Sequence, residues 1–221
     1  MRSELQLAQD ISSVHPNTLI CQEKNCCGDV MLSGFRAKVD TALEPVARAF
    51  ARAGFTPNVL TCIGLVVSLF AGILFAYGLP RFAAIALLVC GFFDMIDGAV
   101  ARVTGKVTAF GGVLDSVVDR FTEAAIIIGI VYGGTPELGQ WWWLAGALAL
   151  VGGFMVSYTR ARAESAGTGK LDVGFAERAE RMLIFAIFAL VERTGYALIL
   201  VAILAYITVI HRLAVAYRRL R

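Results

Sequence analysis

Residues 92–121 read FFDMIDGAVARVTGKVTAFGGVLDSVVDRF. The stretch leaves one apolar segment and enters another, and it carries four aspartates, Asp94, Asp97, Asp115 and Asp119. Asp94 and Asp97 are three residues apart, and Asp115 and Asp119 four apart. Each pair therefore shares one face of a helix, with roughly 5–6 Å between neighbours. The connection, near Val103–Phe110, is short and contains Gly105, so it closes an antiparallel helical hairpin that brings both pairs together. A single ionised side chain at the centre of a bilayer costs at least about 2.5 kcal/mol. Four of them on adjacent apolar helices must face one another, water or cations.

The surrounding composition makes the bilayer the relevant solvent. Of 221 residues, 58% are hydrophobic and 17% charged. Mean hydropathy is +0.72. A soluble domain is closer to half apolar and a quarter charged. Apolar segments fall near 57–78, 82–101, 112–133, 141–160, 179–193 and 195–211. Each is read as a spanning helix of about 20 residues, the fifth being the shortest. The expected fold is thus an all-α integral membrane protein with six transmembrane helices. Ahead of them, residues 31–54 are expected to form an amphipathic interfacial helix. Phe35, Val39, Ala42, Val46 and Phe50 recur on one face, with Arg36, Lys38, Arg48 and Arg52 elsewhere. The same pattern also suits a helix packed on protein.

Charge sets the orientation. Arg102, Lys106, Arg160, Arg162, Lys170, Arg178 and Arg181 lie in connections on one side, with the tail HRLAVAYRRLR. The other side has only Arg81 and Arg193. The basic side is expected to be cytoplasmic, with both termini on it, in a multi-pass protein of the cell membrane. Trp141, Trp142 and Trp143 fall on the far side as an interfacial aromatic belt. A net charge of +3 without a Lys/Arg run gives no footprint for nucleic acid. Residues 1–30 lack the apolar core of a signal peptide and read as a disordered tail, with Met31 a possible start. Cys21, Cys26 and Cys27, with only His15 nearby, fall short of a metal site.

Four converging carboxylates form a site for hard divalent cations such as Mg²⁺, Mn²⁺ or Ca²⁺. Two such ions could clamp the oxygens of an in-line phosphoryl displacement. Gly98, Ala101, Gly111 and Gly112 allow close approach, and Arg102 is placed to pair with a phosphate. Two other readings of the same acids stay open: a cation or proton pathway, and structural pairing with Arg102 and Arg120.

Written out, the pattern is Asp94-x2-Asp97-Gly98-x2-Ala101-Arg102-x8-Gly111-x3-Asp115-x3-Asp119. This resembles the full signature of the CDP-alcohol phosphotransferases, and the six-helix layout extends the resemblance over about residues 35–215. The resemblance implies transfer of a phosphatidyl-type group from a CDP-lipid to an alcohol, with release of CMP. It also implies two Mg²⁺ or Mn²⁺ ions held by Asp94, Asp97, Asp115 and Asp119, with Asp119 as general base, and a homodimer. Onto the CDP-lipid site it carries Gly98, Ala101 and Arg102, with Asn58 and Thr61 from the stretch PNVLT. Thr108 in the hairpin is a further candidate. For Asn58 and Thr61, helix capping after Pro57 is the competing reading.

The acceptor is read from arginines. Arg160 and Arg162 end the fourth segment, Arg178 and Arg181 share a helix face, and Arg212 starts the basic tail. Guanidinium forks suit a phosphate dianion, although positive-inside anchoring needs only their charge. The flanking segments resemble the subfamily that uses inositol phosphate, which places acceptor-phosphate binding on Arg160, Arg181 and Arg212. Arg160 departs from the lysine that bacterial members often carry there. GKLDVGFAERAER resembles archaeal members more closely, so the donor is CDP-diacylglycerol or CDP-archaeol. The competing expectations are a phosphatidylglycerol phosphate synthase using glycerol phosphate, and a cation or proton transporter.

Overall fold

The computed structural model describes residues 43–171, 173–174 and 177–221. The tail 1–30, with its cysteines, and the first part of the amphipathic segment lie outside these residues. Helix α1 covers 43–52. Leu43, Val46, Ala47, Phe50 and Ala51 pack on Leu60, Ile96, Ala99 and Val100, while Arg48 and Arg52 stay exposed.

Among the described residues six further α-helices follow: α2 (Pro57–Ala76), α3 (Pro80–Thr104), α4 (Ala109–Gly133), α5 (Trp142–Ser165), α6 (Arg178–Leu190) and α7 (Thr194–Arg219), with a 3₁₀ helix at Pro136–Trp141 leading into α5. There is no strand among the described residues. Proline starts α2 and α3 at the first turn, where its missing N–H has no partner to lose. Thr56 caps α2 by accepting from Val59 N. Capping is therefore not what Asn58 and Thr61 do. Gly105 ends α3 in the left-handed region at φ 65°, and Thr108 caps α4 by accepting from Gly111 N at 3.0 Å. The hairpin between the aspartate pairs is thus as short as the sequence indicates.

Helix α2 packs between α3 and α4, α5 packs on α7, and α6 packs on α3 and α7. Small residues dominate the buried seam: Ala71, Ala83, Ala84, Ala149, Ala186, Ala189 and Ala197 are nearly or fully buried. Large apolar side chains instead point outward, among them Val66, Phe70, Phe82, Ile85, Ile128, Leu183 and Ile203. An apolar perimeter around a tight small-residue interior is what lipid-solvated helix bundles require. The protein is a helical, multi-pass membrane protein.

Four stretches are long and apolar enough to cross a bilayer: Pro57–Ala76, Pro80–Thr104, Pro136–Ser165 and Thr194–Arg219. The other two expected spans differ for separate reasons. Helix α4 has 25 residues but carries Asp115, Asp119, Arg120 and Glu123. Helix α6 has 13 residues, about 20 Å of rise, because it stops at Leu190 before a turn at Glu192 (φ 56°). At the basic end the helices outrun their apolar runs, α3 to Thr104, α5 to Ser165 and α7 to Arg219. Backbone hydrogen bonding continues where hydropathy stops. On the far side, Trp142 Nε1 donates to Val131 O at 3.1 Å, while Trp141 and Trp143 are exposed.

Candidate functional site

Three of the four aspartates meet. Asp94 and Asp97 on α3 and Asp115 on α4 each offer one carboxylate oxygen, and the three oxygens lie within 4.8 Å of one another. Oxygen ligands around one hard cation can be separated by up to about twice the metal–oxygen distance, roughly 4–5 Å. The all-carboxylate donor set and its spacing therefore fit a divalent ion. Asp97 is buried, and Thr61 Oγ1 lies 2.6 Å from its Oδ2 and 3.1 Å from Pro57 O. The shorter contact assigns the hydroxyl proton to the carboxylate, which fixes one oxygen of Asp97.

Asp119 lies one turn beyond Asp115 and has a different partner. Its Oδ1 is 2.6 Å from Arg178 Nη1, and the same nitrogen donates to Asp94 Oδ1 at 2.6 Å. The Asp119 contact is an ion pair without hydrogen-bond geometry, so this buried oxygen has no hydrogen-bond partner. Arg120 is 3.6 Å from the other Asp119 oxygen. The guanidinium of Arg178 thus sits between two acids that the sequence assigns to metal. Arg178 was legible in the sequence only as a face-mate of Arg181. Its ion pairs span sequence separations that helical periodicity cannot predict.

Two cavities flank the carboxylates. One of about 150 Å³ is lined by Asn58, Thr61, Gly98, Ala101 and Thr108, together with Asp97, Asp115 and Lys106. Five of the six residues expected at the CDP-lipid site are gathered there. The sixth, Arg102, lies over Gly98: a Cβ at position 98 would sit 3.3 Å from its Nη1. Lys106 was missed, although it lies in the hairpin beside Thr108.

The other cavity, about 530 Å³, is lined by Arg160, Arg181 and Arg212 along with Asp94, Asp119 and Arg178. The three arginines expected at the acceptor site converge from three different helices. Each is also held by protein. Arg160 Nε donates to Glu164 at 3.1 Å. Arg212 donates to Val173 O at 2.8 Å and Val156 O at 2.7 Å. Arg181 makes two 2.6 Å bonds to Glu123. Glu177 stands 4.0 Å from both Arg160 and Arg212, and its side chain forms the capping box of α6 with Glu180. The acidic partners temper the positive charge without emptying the cavity of cations.

A family model described as CDP-alcohol phosphatidyltransferase matches residues 55–215. The chain belongs to this family. It is accordingly an enzyme of the CDP-alcohol phosphatidyltransferase class, in which a CDP-linked lipid and an alcohol are the reactants. The archaetidylinositol phosphate synthase of Pyrococcus horikoshii is 45% identical over 190 residues, covering 86% of this chain and 98% of the relative. Among solved structures, the phosphatidylinositol phosphate synthase of Mycobacterium tuberculosis with CDP-DAG bound matches at TM-score 0.70 and 32% identity. That match covers 79% of this chain and 92% of the other. The same Mycobacterium protein in complex with manganese and citrate also matches at TM-score 0.70, with 32% identity over 78% of this chain and 88% of the other. Among CDP-alcohol phosphatidyltransferases, then, this chain is similar to those named for inositol phosphate, and dependence on a divalent metal accords with its aspartate cluster.

Proposed function

We propose that this enzyme transfers an archaetidyl group from CDP-archaeol to inositol phosphate, releasing CMP. The observation that carries the reading is the arrangement of two cavities about one carboxylate cluster. The smaller is lined by the small residues of the signature with Thr61 and Thr108, the larger by arginines and their acidic partners. A donor and a phosphorylated acceptor placed in them would face each other across Asp94, Asp97, Asp115 and Asp119. The 45% identity to an archaetidylinositol phosphate synthase supports both the ether lipid and the acceptor.

The positions accord with the following roles. Asn58, Thr61, Gly98, Ala101, Arg102 and Thr108 hold the CDP end of the donor, with Arg102 beside its phosphates. Arg160, Arg181 and Arg212 hold the acceptor phosphate, which orients one ring hydroxyl toward the lipid-side phosphorus. Asp119 takes the proton from that hydroxyl as the new O–P bond forms and the bond to CMP breaks. Asp94, Asp97, Asp115 and Asp119 would hold two Mg²⁺ or Mn²⁺ ions, which when bound neutralise the pyrophosphate and make CMP a better leaving group. Holding both reactants in line lowers the entropic part of the barrier.

In the bilayer, α2 to α7 form six crossings, with the charged faces of α4 and of the short α6 turned toward the site and the apolar face of α6 toward lipid. The basic ends, both termini and the site lie on the cytoplasmic side of the cell membrane. Helix α1 rests at that surface, and the enzyme works as a homodimer. Residues 1–30 lie outside the catalytic unit. Their deletion is expected to leave specific activity at the full-length value, and a collapse would give the tail a catalytic role.

The acceptor is tested by CMP release from CDP-archaeol and from CDP-diacylglycerol, in detergent with Mg²⁺. Inositol phosphate, glycerol phosphate and serine are each supplied alone and then in competition at equal concentration. Preferential turnover of inositol phosphate is expected. Release with glycerol phosphate alone would keep the aspartate chemistry and overturn the acceptor.

A further inference from the structure

Glu123 lies on α4 one turn beyond Asp119, so Asp115, Asp119 and Glu123 recur every fourth residue along one face. Across from them, α6 presents Arg178 and Arg181 three residues apart. The side chains pair in two rungs, Arg178 with Asp119 and Arg181 with Glu123. The second rung is almost sealed, with Arg181 1% and Glu123 2% exposed. Nε donates to Oε1 and Nη2 to Oε2, both at 2.6 Å. The two bonds grip one edge of the guanidinium. Arg181 lines the arginine cavity, and Glu123 does not.

The neighbourhood is shaped around this carboxylate. A Cβ on Gly153 of α5 would lie 2.3 Å from Glu123 Oε1 and 2.9 Å from its Cδ. Only glycine at 153 leaves the carboxylate where it is. Stability does not account for the arrangement, because a buried ion pair is often no more stable than apolar residues of the same volume. Nor does lipid solvation, which penalises both charges. What the clamp does supply is a guanidinium whose plane and position are set before any ligand arrives.

We propose that Glu123 is a positioning residue for acceptor phosphate: it presets Arg181, so that the phosphate meets an oriented fork rather than a mobile one. The claim rests on the assignment of the arginine cavity to a phosphorylated acceptor. In the full-length enzyme, Glu123→Gln is expected to raise the acceptor KM by about tenfold or more, through loss of a charged clamp, and to leave the CDP-lipid KM unchanged. Glu123→Asp, which keeps the charge but shortens the reach, should fall between. The double variant Glu123→Gln/Arg181→Met removes both charges and should recover the thermal midpoint without recovering the acceptor KM.

Equal effects of Glu123→Gln on both KM values, or none on the acceptor KM, would overturn the proposal. So would recovery of the acceptor KM in the double variant. Should Glu123→Gln fail to fold, Glu123→Asp decides: an unchanged acceptor KM overturns the assignment. If the wild type takes glycerol phosphate instead of inositol phosphate, the acceptor reading fails. Glu123 is then judged on the glycerol phosphate KM by the same criteria.

Discussion

Asp119→Asn lowers CMP release by about 10²–10⁴-fold, the range a positioned general base contributes, while CDP-lipid binding stays near the wild-type value. Asparagine matches aspartate in shape and can keep an oxygen against Arg178, so the side-chain link between α4 and α6 survives. What it cannot do is take a proton from the acceptor hydroxyl. Asp119 lines the arginine cavity and is absent from the lining of the smaller one, which is why the donor should be spared. The oxygens of Asp94, Asp97 and Asp115 also remain grouped without it. Single-turnover CMP release, with donor binding measured separately by calorimetry, checks both halves. Retained turnover would remove Asp119 from the role of base. Loss of donor binding along with turnover would make it a structural or metal-holding residue only.

What the sequence could and could not reveal follows from the range of each physical signal. Asp94, Asp97, Asp115 and Asp119 were legible because helical periodicity operates over three and four residues and the hairpin between them is short. The same rule, carried one step further along α4, reaches Glu123, which lies outside the signature. Thr61 and Asp97 are 36 residues apart, and Arg178 and Asp94 are 84 apart. No local pattern joins them, and only the resemblance put Thr61 near the site. The arginines were legible as a charge cluster with Glu164, Glu177 and Glu180 close by to pair with them, whereas the pairing of Arg181 with Glu123 and of Arg212 with backbone carbonyls was visible only in the folded chain. Hydropathy located all six apolar segments, but it ended α3, α5 and α7 too early at their charged ends. It also carried α6 three residues past Leu190, where its helical hydrogen bonding stops. Hydropathy reports solvation, and helix ends are set by backbone bonds and turns.

Gly129→Ala should be the most damaging alanine substitution among the interior glycines remote from the site. A Cβ at position 129 would lie 2.2 Å from the carbonyl oxygen of Gly72 and 2.9 Å from its Cα. Both are backbone atoms of α2, so no side chain can swing aside, and α2 and α4 must separate. Overpacking commonly costs about 1–3 kcal/mol and occasionally more; against rigid backbone the upper end is expected, a fall of roughly 5–10 °C in thermal midpoint. Gly91→Ala is the matched control, since a Cβ there meets nothing within 4 Å and position 91 is exposed on α3. It should be neutral. The functional consequence follows from what the two helices carry. Asn58 and Thr61 begin α2, and Asp115 and Asp119 belong to α4, so a wedge at Gly129 tilts the donor-site residues away from the carboxylates. The variant should therefore lose activity even at temperatures where it stays folded, with the CDP-lipid KM raised more than the acceptor KM. Equal midpoints for Gly129→Ala and Gly91→Ala would mean that the α2–α4 approach is not needed for the fold. A lowered midpoint with unchanged donor KM would mean that the helices separate without disturbing the site.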